Sequence, residues 1–254
     1  MIAPADKLEI QAMMRREIEA HARGPQFNSH QTPRGTAQSR VARYFRDRLP
    51  LNPRELDEVT LLVEGQPVPL LFYSGQWRQL GPAPLVTAMP TADNRFDGMM
   101  VDYVASATDG IVWTFRYTDD TGHSSTYPWE FVGGGSIWDY ESAQQTTGST
   151  SYVNLGTVGP DVTIPLAGDW RVDLGADFFN NATTYSLMSF AIGGTAASDV
   201  NSVLCSAANE ITCSRWQVLT SIAASTQLLT KYRVAGGTGQ WAKRWIAITP
   251  IRVA

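Results

Sequence analysis

The sequence predicts a mainly β protein, in which an N-terminal α-helical segment precedes short strands and a C-terminal antiparallel β-sandwich. From about residue 56, short runs rich in Val, Ile, Tyr, Phe and Trp alternate with turns that contain Gly, Pro, Asn or Asp. The clearest strand is 169–178, where every even position is apolar and every odd position is Asp, Arg or Gly. A period of two predicts a strand with one buried face.

The N-terminal segment has the spacing of helices instead. Apolar residues three and four positions apart predict a first helix between residues 10 and 21, ended by Gly24-Pro25. A second helix before Pro50 is predicted from Val41, Tyr44, Phe45 and Leu49. Neither helix has enough apolar area to be stable alone, so we expect both to pack on a partner or on copies of themselves.

Charge is divided unevenly along the chain. Residues 1–54 contain ten Lys/Arg against five Asp/Glu, a net charge of +5, which leaves −9 for the remainder of a chain whose total is −4. A basic segment on an acidic body suggests docking to an acidic protein surface or to nucleic acid, although two solvated helix faces explain the pattern about equally well. We expect other proteins as the partners and no direct contact with nucleic acid. The candidate attachment residues are Arg15, Arg16, Arg40, Arg43, Arg46, Tyr44 and Phe45.

Composition divides the rest of the chain into modules. Residues 1–55 are the helical attachment segment, 56–135 form β shaft or collar modules, 136–150 are a Ser/Gln/Thr-rich linker, and 151–254 form the sandwich head. Residues 77–81 align with residues 129–133, a weak internal repeat of the kind found in fibre shafts. The number and spacing of strands in the head favour a jelly roll over an immunoglobulin-like sandwich.

The chemistry of catalysis is poorly represented. The chain has no Gly-x-Ser-x-Gly elbow, no phosphate-binding loop and no dinucleotide fingerprint. His21, His30 and His123 have no metal-ligand spacing. Asp169 and Asp173 share a strand face but would lie about 13 Å apart at ~3.3 Å per residue, too far for either glycosidase geometry. We therefore expect no enzyme activity, no cofactor and no metal.

The cysteines and the distribution of apolar residues indicate in which cellular compartment the protein folds. Cys205 and Cys213 cannot form a four-thiolate metal site, and the sequence leaves open whether they are reduced, the default in cytoplasm, or bridged. The first twenty residues lack the apolar region of a secretion signal. No apolar run reaches the length of a membrane span, so we expect no membrane insertion.

Aromatic residues are the remaining candidates for function. Trp113, Phe115 and Tyr117 alternate with other residues, which favours core packing or a subunit contact over ligand binding. Trp138 and Tyr140 lie in a Gly/Ser-rich segment and are less easily assigned to a core. They are the candidates for contact with a surface or a glycan.

Several runs between residues 56 and 254 carry a resemblance to a known family. The most specific run is Trp129-Glu130-Phe131-Val132-Gly133-Gly134, and the others are 97–103, 110–117, 127–128, 158–170, 191–194 and 231–234. These runs resemble a family of tailed-phage and prophage virion proteins known as minor tail, tail fibre or head fibre proteins. The resemblance implies a particle-borne, commonly trimeric fibre or adhesin with no known chemistry.

The head also resembles, more loosely, the trimeric jelly-roll heads of complement-like and tumour-necrosis-factor-like proteins. The shared run is 162–172, an apolar strand, a Gly turn and a strand led by Trp170. Three-fold packing would bury aromatic surface that one sandwich leaves exposed.

Together these resemblances imply a homotrimeric fibre or minor tail component of a bacteriophage virion, made in the bacterial cytoplasm. Its N-terminal segment would bind tail, portal or capsid proteins, and its heads would adhere to a host-surface glycan by multivalent contacts. Two alternatives remain open. One is a capsid-decorating (head fibre) or tail-connecting protein with no receptor role, and the other, which the carboxylate spacing disfavours, is a fibre-borne polysaccharide hydrolase.

Overall fold

Short and long β-strands make up most of the part of the chain that the computed structural model describes, residues 44–46, 49, 53, 57–119, 122, 124–182, 184–206 and 210–254. Two 3₁₀ turns, Ala92–Asn94 and Asp199–Asn201, accompany the strands. The strands are β1 (Tyr44–Arg46), β2 (Glu58–Val63), β3 (Gln66–Tyr73), β4 (Gln76–Gln79), β5 (Leu85–Val86), β6 (Met100–Ser106), β7 (Ile111–Tyr117), β8 (Trp129–Gly134), β9 (Ile137–Glu141), β10 (Gln145–Thr147), β11 (Asp161–Thr163), β12 (Gly168–Asn180), β13 (Ser186–Ile192), β14 (Val203–Cys205), β15 (Ile211–Ile222), β16 (Gln227–Val234) and β17 (Gly239–Val253).

The N-terminal sheet consists of β1 to β4 in sequence order. Its first strand corrects the sequence prediction, because Tyr44–Arg46 is extended and pairs in parallel with β2, Tyr44 opposite Val59, where a second helix was predicted. The unpaired backbone groups at the edge of β2 and the β preference of aromatic residues outweigh a weak helical spacing in so short a segment. The first predicted helix lies outside the described residues.

The long sheet is built around β17, the longest strand at 15 residues. Its order is β15-β12-β17-β8-β7-β6-β5, and β9 and β10 also pair with β17. One edge of β17 pairs with β12 along most of its length, while the other edge pairs in turn with β10, β9 and β8. Residues from both predicted β modules therefore share one sheet.

This pairing corrects the predicted linker at 136–150. Tyr140 lies opposite Trp245, and Gln145 lies opposite Trp241, so both parts of the segment are strands of the long sheet. The segment has little apolar alternation, but the edge of β17 offers a row of N–H and C=O groups that need partners. β8 pairs on the same edge, so strands from the predicted shaft and from the predicted head share one sheet. The described residues from Tyr44 onward belong to one compact unit.

The short sheet, β11-β16-β13-β14, packs on the long sheet to form the predicted antiparallel sandwich of jelly-roll-like character. Trp241 of β17 meets Tyr232 of β16 edge-on, with ring centroids 5.4 Å apart. Each large core side chain of this kind stabilises the fold by about 3–5 kcal/mol, measured as the cost of truncation to Ala. The even positions of β12 are completely buried, as the alternation predicts: Trp170, Val172, Leu174, Ala176 and Phe178.

A second group of aromatic residues fills the core beneath β6, β7 and β8. Trp113, Phe115 and Tyr117 are buried, which confirms that their alternation marks a core. The Trp113 indole donates a hydrogen bond to the Gly135 carbonyl at 2.5 Å. Gly134 has φ +137°, and a Cβ there would lie 2.6 Å from Trp113 Cδ1, so only glycine allows this approach.

The weak internal repeat has no structural counterpart. Trp77 lies on β4, the last strand of the N-terminal sheet, and is partly buried. Trp129 begins β8 in the interior of the long sheet and is fully buried. The two segments thus share a sequence pattern but neither a sheet nor an environment.

Candidate functional site

The outward surface of the long sheet carries the candidate site. Alternation on β12 sends Val172 and Leu174 into the core, and Arg171, Asp173 and Gly175 to the opposite face. Residues directly opposite one another in a sheet share a face, so the strand register shows which side chains gather there.

One row of outward residues crosses four strands. It runs from Trp138 on β9, through Ala247 on β17 and Asp173 on β12, to Trp216 on β15. The two tryptophans at its ends are 64% and 61% exposed. Three strand spacings separate them, about 14 Å at ~4.8 Å per spacing.

A second row lies beside the first. It contains Tyr140, Trp245, Gly175 and Ser214. The Trp245 indole lies over Gly175, since a Cβ at Gly175 would be 2.8 Å from Trp245 Cζ2. The Trp138 and Tyr140 rings are 6.5 Å apart at an angle of 59°. We call the four aromatic residues Trp138, Tyr140, Trp216 and Trp245 the aromatic face.

Two ion pairs lie on this surface. The Arg171 guanidinium donates two hydrogen bonds to the Asp173 carboxylate, at 2.9 and 2.7 Å, and lies 5.3 Å from the centre of the Trp216 ring. The Asp173 carboxylate raises the pKa of Arg171 above its ordinary value. The Arg171 guanidinium is therefore held between the Asp173 carboxylate and the Trp216 indole. The same contact restrains the Trp216 ring.

A second ion pair lies farther along β12. Lys243 Nζ is 2.6 Å from the Asp177 carboxylate, and the Thr212 hydroxyl donates to the same carboxylate at 2.5 Å. These hydrogen bonds, that of Lys243 first, lower the pKa of Asp177. Asp169, the third carboxylate on the strand, accepts a hydrogen bond from the Ser221 amide at 2.9 Å. All three aspartates thus have structural partners.

The aromatic face contains both candidate contact residues from the sequence. Trp138 and Tyr140 are exposed and lie on β9, at the end of the aromatic face opposite to β15. Sequence reasoning did not select Trp216 and Trp245, which lie on β15 and β17, because it assigned no outward face to these parts of the chain. Of the candidate attachment residues, Arg15, Arg16, Arg40 and Arg43 lie outside the described residues, as do the side chains of Tyr44, Phe45 and Arg46 in β1.

Metal-binding clusters and membrane-spanning helices are not seen in the described part of the chain. It brings together no group of three or more His, Cys, Asp or Glu side chains that could hold a metal ion. His21, His30 and His123 fall outside it. None of the helices it contains has the length and apolar character that crossing a membrane requires. Cys205 and Cys213 are free thiols.

Comparison with known proteins identifies no family. No family model matches the chain, and no curated protein matches it. Among solved structures, the chain is similar to Eiger TNF from S. frugiperda (10% identity, 47% of this chain and 94% of that one, TM-score 0.34). It is also similar to a carbohydrate binding module from Cellvibrio mixtus lichenase 5A in complex with cellotriose (15% identity, 55% and 88%, TM-score 0.27). A third likeness is to infectious bursal disease virus Gx strain (10% identity, 79% and 46%, TM-score 0.32). At these scores the likenesses assign neither a family nor a function.

Proposed function

We propose that this chain is a non-catalytic structural protein of a bacteriophage particle, a fibre or minor tail component whose β-sandwich adheres to the host surface through the aromatic face. The place in the particle rests on the sequence resemblance to phage virion proteins. The adhesive role rests on one observation, the exposure of Trp138, Tyr140 and Trp216 together on a single sheet surface.

Physical chemistry supports binding at this surface. Single exposed apolar residues are ordinary, but a contiguous group marks a site of interaction. Indole and phenol rings offer flat apolar area with a polar edge and lose little conformational entropy on binding. A face of this kind can hold the flat side of a sugar or the surface of another protein. Several weak contacts of this type would be strengthened by display on a trimer.

Adhesion can be tested with purified full-length protein and cell-envelope preparations from a panel of bacteria. We expect saturable binding to the envelopes of the host and about tenfold or greater weakening in the Trp138→Ala/Trp216→Ala variant, since two stacking contacts are lost. Tyr185→Ala, which truncates an exposed aromatic residue away from the face, is the matched control. Equal binding by all three proteins would contradict the adhesive role.

Particle location and oligomeric state need separate measurements. We expect the chain among the proteins of purified particles by mass spectrometry, and a trimer by light scattering of the purified full-length chain. If the chain were absent from purified particles, the assignment to the virion would be wrong. If the purified chain were a monomer, the proposed trimeric state would be wrong. A trimer that dissociates in the Trp138→Ala/Trp216→Ala variant would make the aromatic face a subunit contact.

A capsid-decorating or tail-connecting protein is the second candidate. The observation that favours it is the combination of Trp, Tyr and Arg on the aromatic face, a composition that is also enriched at protein–protein interfaces. In that case the face would be covered by a neighbouring virion protein. Protection of Trp138 and Trp216 from oxidative footprinting in intact particles would favour this candidate over adhesion.

A further inference from the structure

We propose that the aromatic face binds a linear, uncharged polysaccharide whose chain runs across the strands, from Trp138 on β9 to Trp216 on β15. This inference rests on the proposed adhesive function and adds the ligand class, the direction of the ligand and its minimum length. It is carried by the strand register, the burial of Gly175 under Trp245 and the pairing of the charges.

The spacing of the rings on the aromatic face indicates the direction in which the polysaccharide chain lies. Aromatic residues lie on β9, β17 and β15, and the Trp245 indole extends over Gly175 on β12, so each of the four strands presents an aromatic surface. A pyranose unit in an extended chain occupies about the length of one strand spacing, ~4.8 Å. A chain crossing all four strands would therefore place about four sugars on the face, with Trp138 and Trp216 under its ends.

The charges favour an uncharged ligand. Arg171 is paired with Asp173, and Lys243 is paired with Asp177, so these four charges cancel in adjacent pairs. The third carboxylate of β12, Asp169, accepts a backbone hydrogen bond and keeps its negative charge, which further disfavours an anionic ligand. An anionic polymer would have to compete with Asp173 for Arg171, and with Asp177 for Lys243. A neutral polymer disturbs neither pair, and its hydroxyl groups can donate to the Asp173 carboxylate or exchange hydrogen bonds with Ser214 beside Gly175.

The face is also restrained before any ligand arrives. Trp216 is held by the Arg171 guanidinium, which the Asp173 carboxylate positions. Trp245 is seated over Gly175, where no side chain intervenes. Restrained rings lose less entropy on binding, which suits a surface that must form many weak contacts with a repeating polymer.

The test is calorimetric titration of the full-length protein with uncharged cello-, xylo- and malto-oligosaccharides, each from disaccharide to hexasaccharide, and with oligogalacturonates as the anionic comparison. We expect at least one uncharged series to bind with an affinity that rises with length and levels off at about the tetrasaccharide. Trp216→Ala should weaken binding about tenfold and move the plateau to a shorter length, since one end of the platform is lost. Tyr185→Ala should leave both properties unchanged.

The outcomes separate this inference from the function on which it rests. Tighter binding of oligogalacturonates, or affinity that does not depend on length or on Trp216, overturns the ligand class. Envelope binding that requires Trp138 and Trp216 without binding of any uncharged oligosaccharide leaves adhesion standing and rejects the polysaccharide. Unchanged thermal unfolding of Trp216→Ala confirms that a loss of affinity is not a loss of fold, as expected for a residue that is 61% exposed.

Discussion

At the scale of single residues, Arg244 is the least ordinary side chain in the sandwich. It is fully buried, and it lies with its guanidinium 5.3 Å from the centre of the Tyr232 ring. Its Nη1 donates to the carbonyls of Gly159 at 3.0 Å and Thr157 at 3.3 Å. Within the described residues its Nε has no hydrogen-bond partner. The guanidinium thus holds the segment that enters β11 against β17.

Replacing Arg244 with Lys should be strongly destabilising. An ammonium group keeps the buried charge but has a single nitrogen. It cannot replace both Nη1, which donates to the Gly159 and Thr157 carbonyls, and Nη2, which donates to the Ala143 carbonyl at 3.5 Å. We expect the free energy of unfolding, measured in urea, to fall by about 2–4 kcal/mol. Arg78→Lys, on the exposed side of β4, is the control and should change it by less than about 0.5 kcal/mol. Similar changes in unfolding free energy for the two variants would show that the guanidinium of Arg244 is not required for stability.

Gly175 controls the position of Trp245. A Cβ there would lie 2.8 Å from the Cys213 carbonyl oxygen and 2.8 Å from Trp245 Cζ2, so Gly175→Ala must displace the indole. We expect a loss of about 1–3 kcal/mol in unfolding free energy from overpacking, and a shift in tryptophan fluorescence. Gly133→Ala meets nothing within 4 Å and should show neither effect. An unshifted emission spectrum for Gly175→Ala would contradict the packing.

At the scale of elements, the outward side of β12 joins the two strands beside it. Asp177 on β12 accepts a hydrogen bond from Thr212 on β15 and pairs with Lys243 on β17. Because these contacts lower the pKa of Asp177 in the folded protein, the carboxylate binds its proton more weakly when folded than when unfolded. The contribution of the Asp177 carboxylate to the free energy of unfolding is therefore complete at neutral pH. It is lost as the pH falls through the pKa of Asp177 in the folded protein.

The lowered pKa of Asp177 predicts how the stability of the Asp177→Asn variant should depend on pH. We expect the variant to be about 1 kcal/mol less stable than the parent protein at neutral pH, because the lost ion pair has an exposed, solvent-screened Lys243 at one end. The difference should shrink as the pH falls below the ordinary carboxyl pKa of about 3.9. Urea unfolding across an acid pH series provides the measurement. A difference that persists unchanged in acid would assign the loss to packing.

At the scale of the whole molecule, the sandwich closes where β14 of the short sheet approaches β15 of the long sheet. Cys205 ends β14 and is buried in the core, while Cys213 on β15 is partly buried beside it. Burial, with a smaller effect of the neighbouring Cys213 thiol, raises the pKa of Cys205 to about 12. The Cys205 thiol is therefore both inaccessible and protonated in the native sandwich.

Alkylation should report the opening of the two sheets. At about pH 8, iodoacetamide should modify Cys213 in the native protein, and Cys205 only through unfolding, since the thiolate is the nucleophile. In concentrated urea both cysteines should react at similar rates. Peptide mass spectrometry distinguishes the two sites, and Cys213→Ser serves as the control for Cys205 alone. Rapid native labelling of Cys205 would show that this edge of the sandwich opens locally.

Local patterning was sufficient for much of the sandwich. The alternation in β7, β12 and β16 marks their buried faces because a strand that covers a core must repeat every two residues. For the same reason Trp113 and Phe115 could be assigned to the core in advance. Trp138 and Tyr140 could be chosen as surface residues because their segment lacks the apolar partners that a core strand carries.

Pairing between distant segments decided the rest. Residues 137–141 became a strand because the edge of β17, more than a hundred residues later, supplied its hydrogen bonds. On β17 the register shifts near Lys243, which has φ +47°, so Trp241 points into the core and Trp245 points outward although both are odd-numbered. A regular period of two would place both on one face. The sequence by itself therefore determined a β-sandwich with exposed aromatic residues on β9, whereas the assembly of four rings into one face depended on strand register, which only long-range pairing specifies.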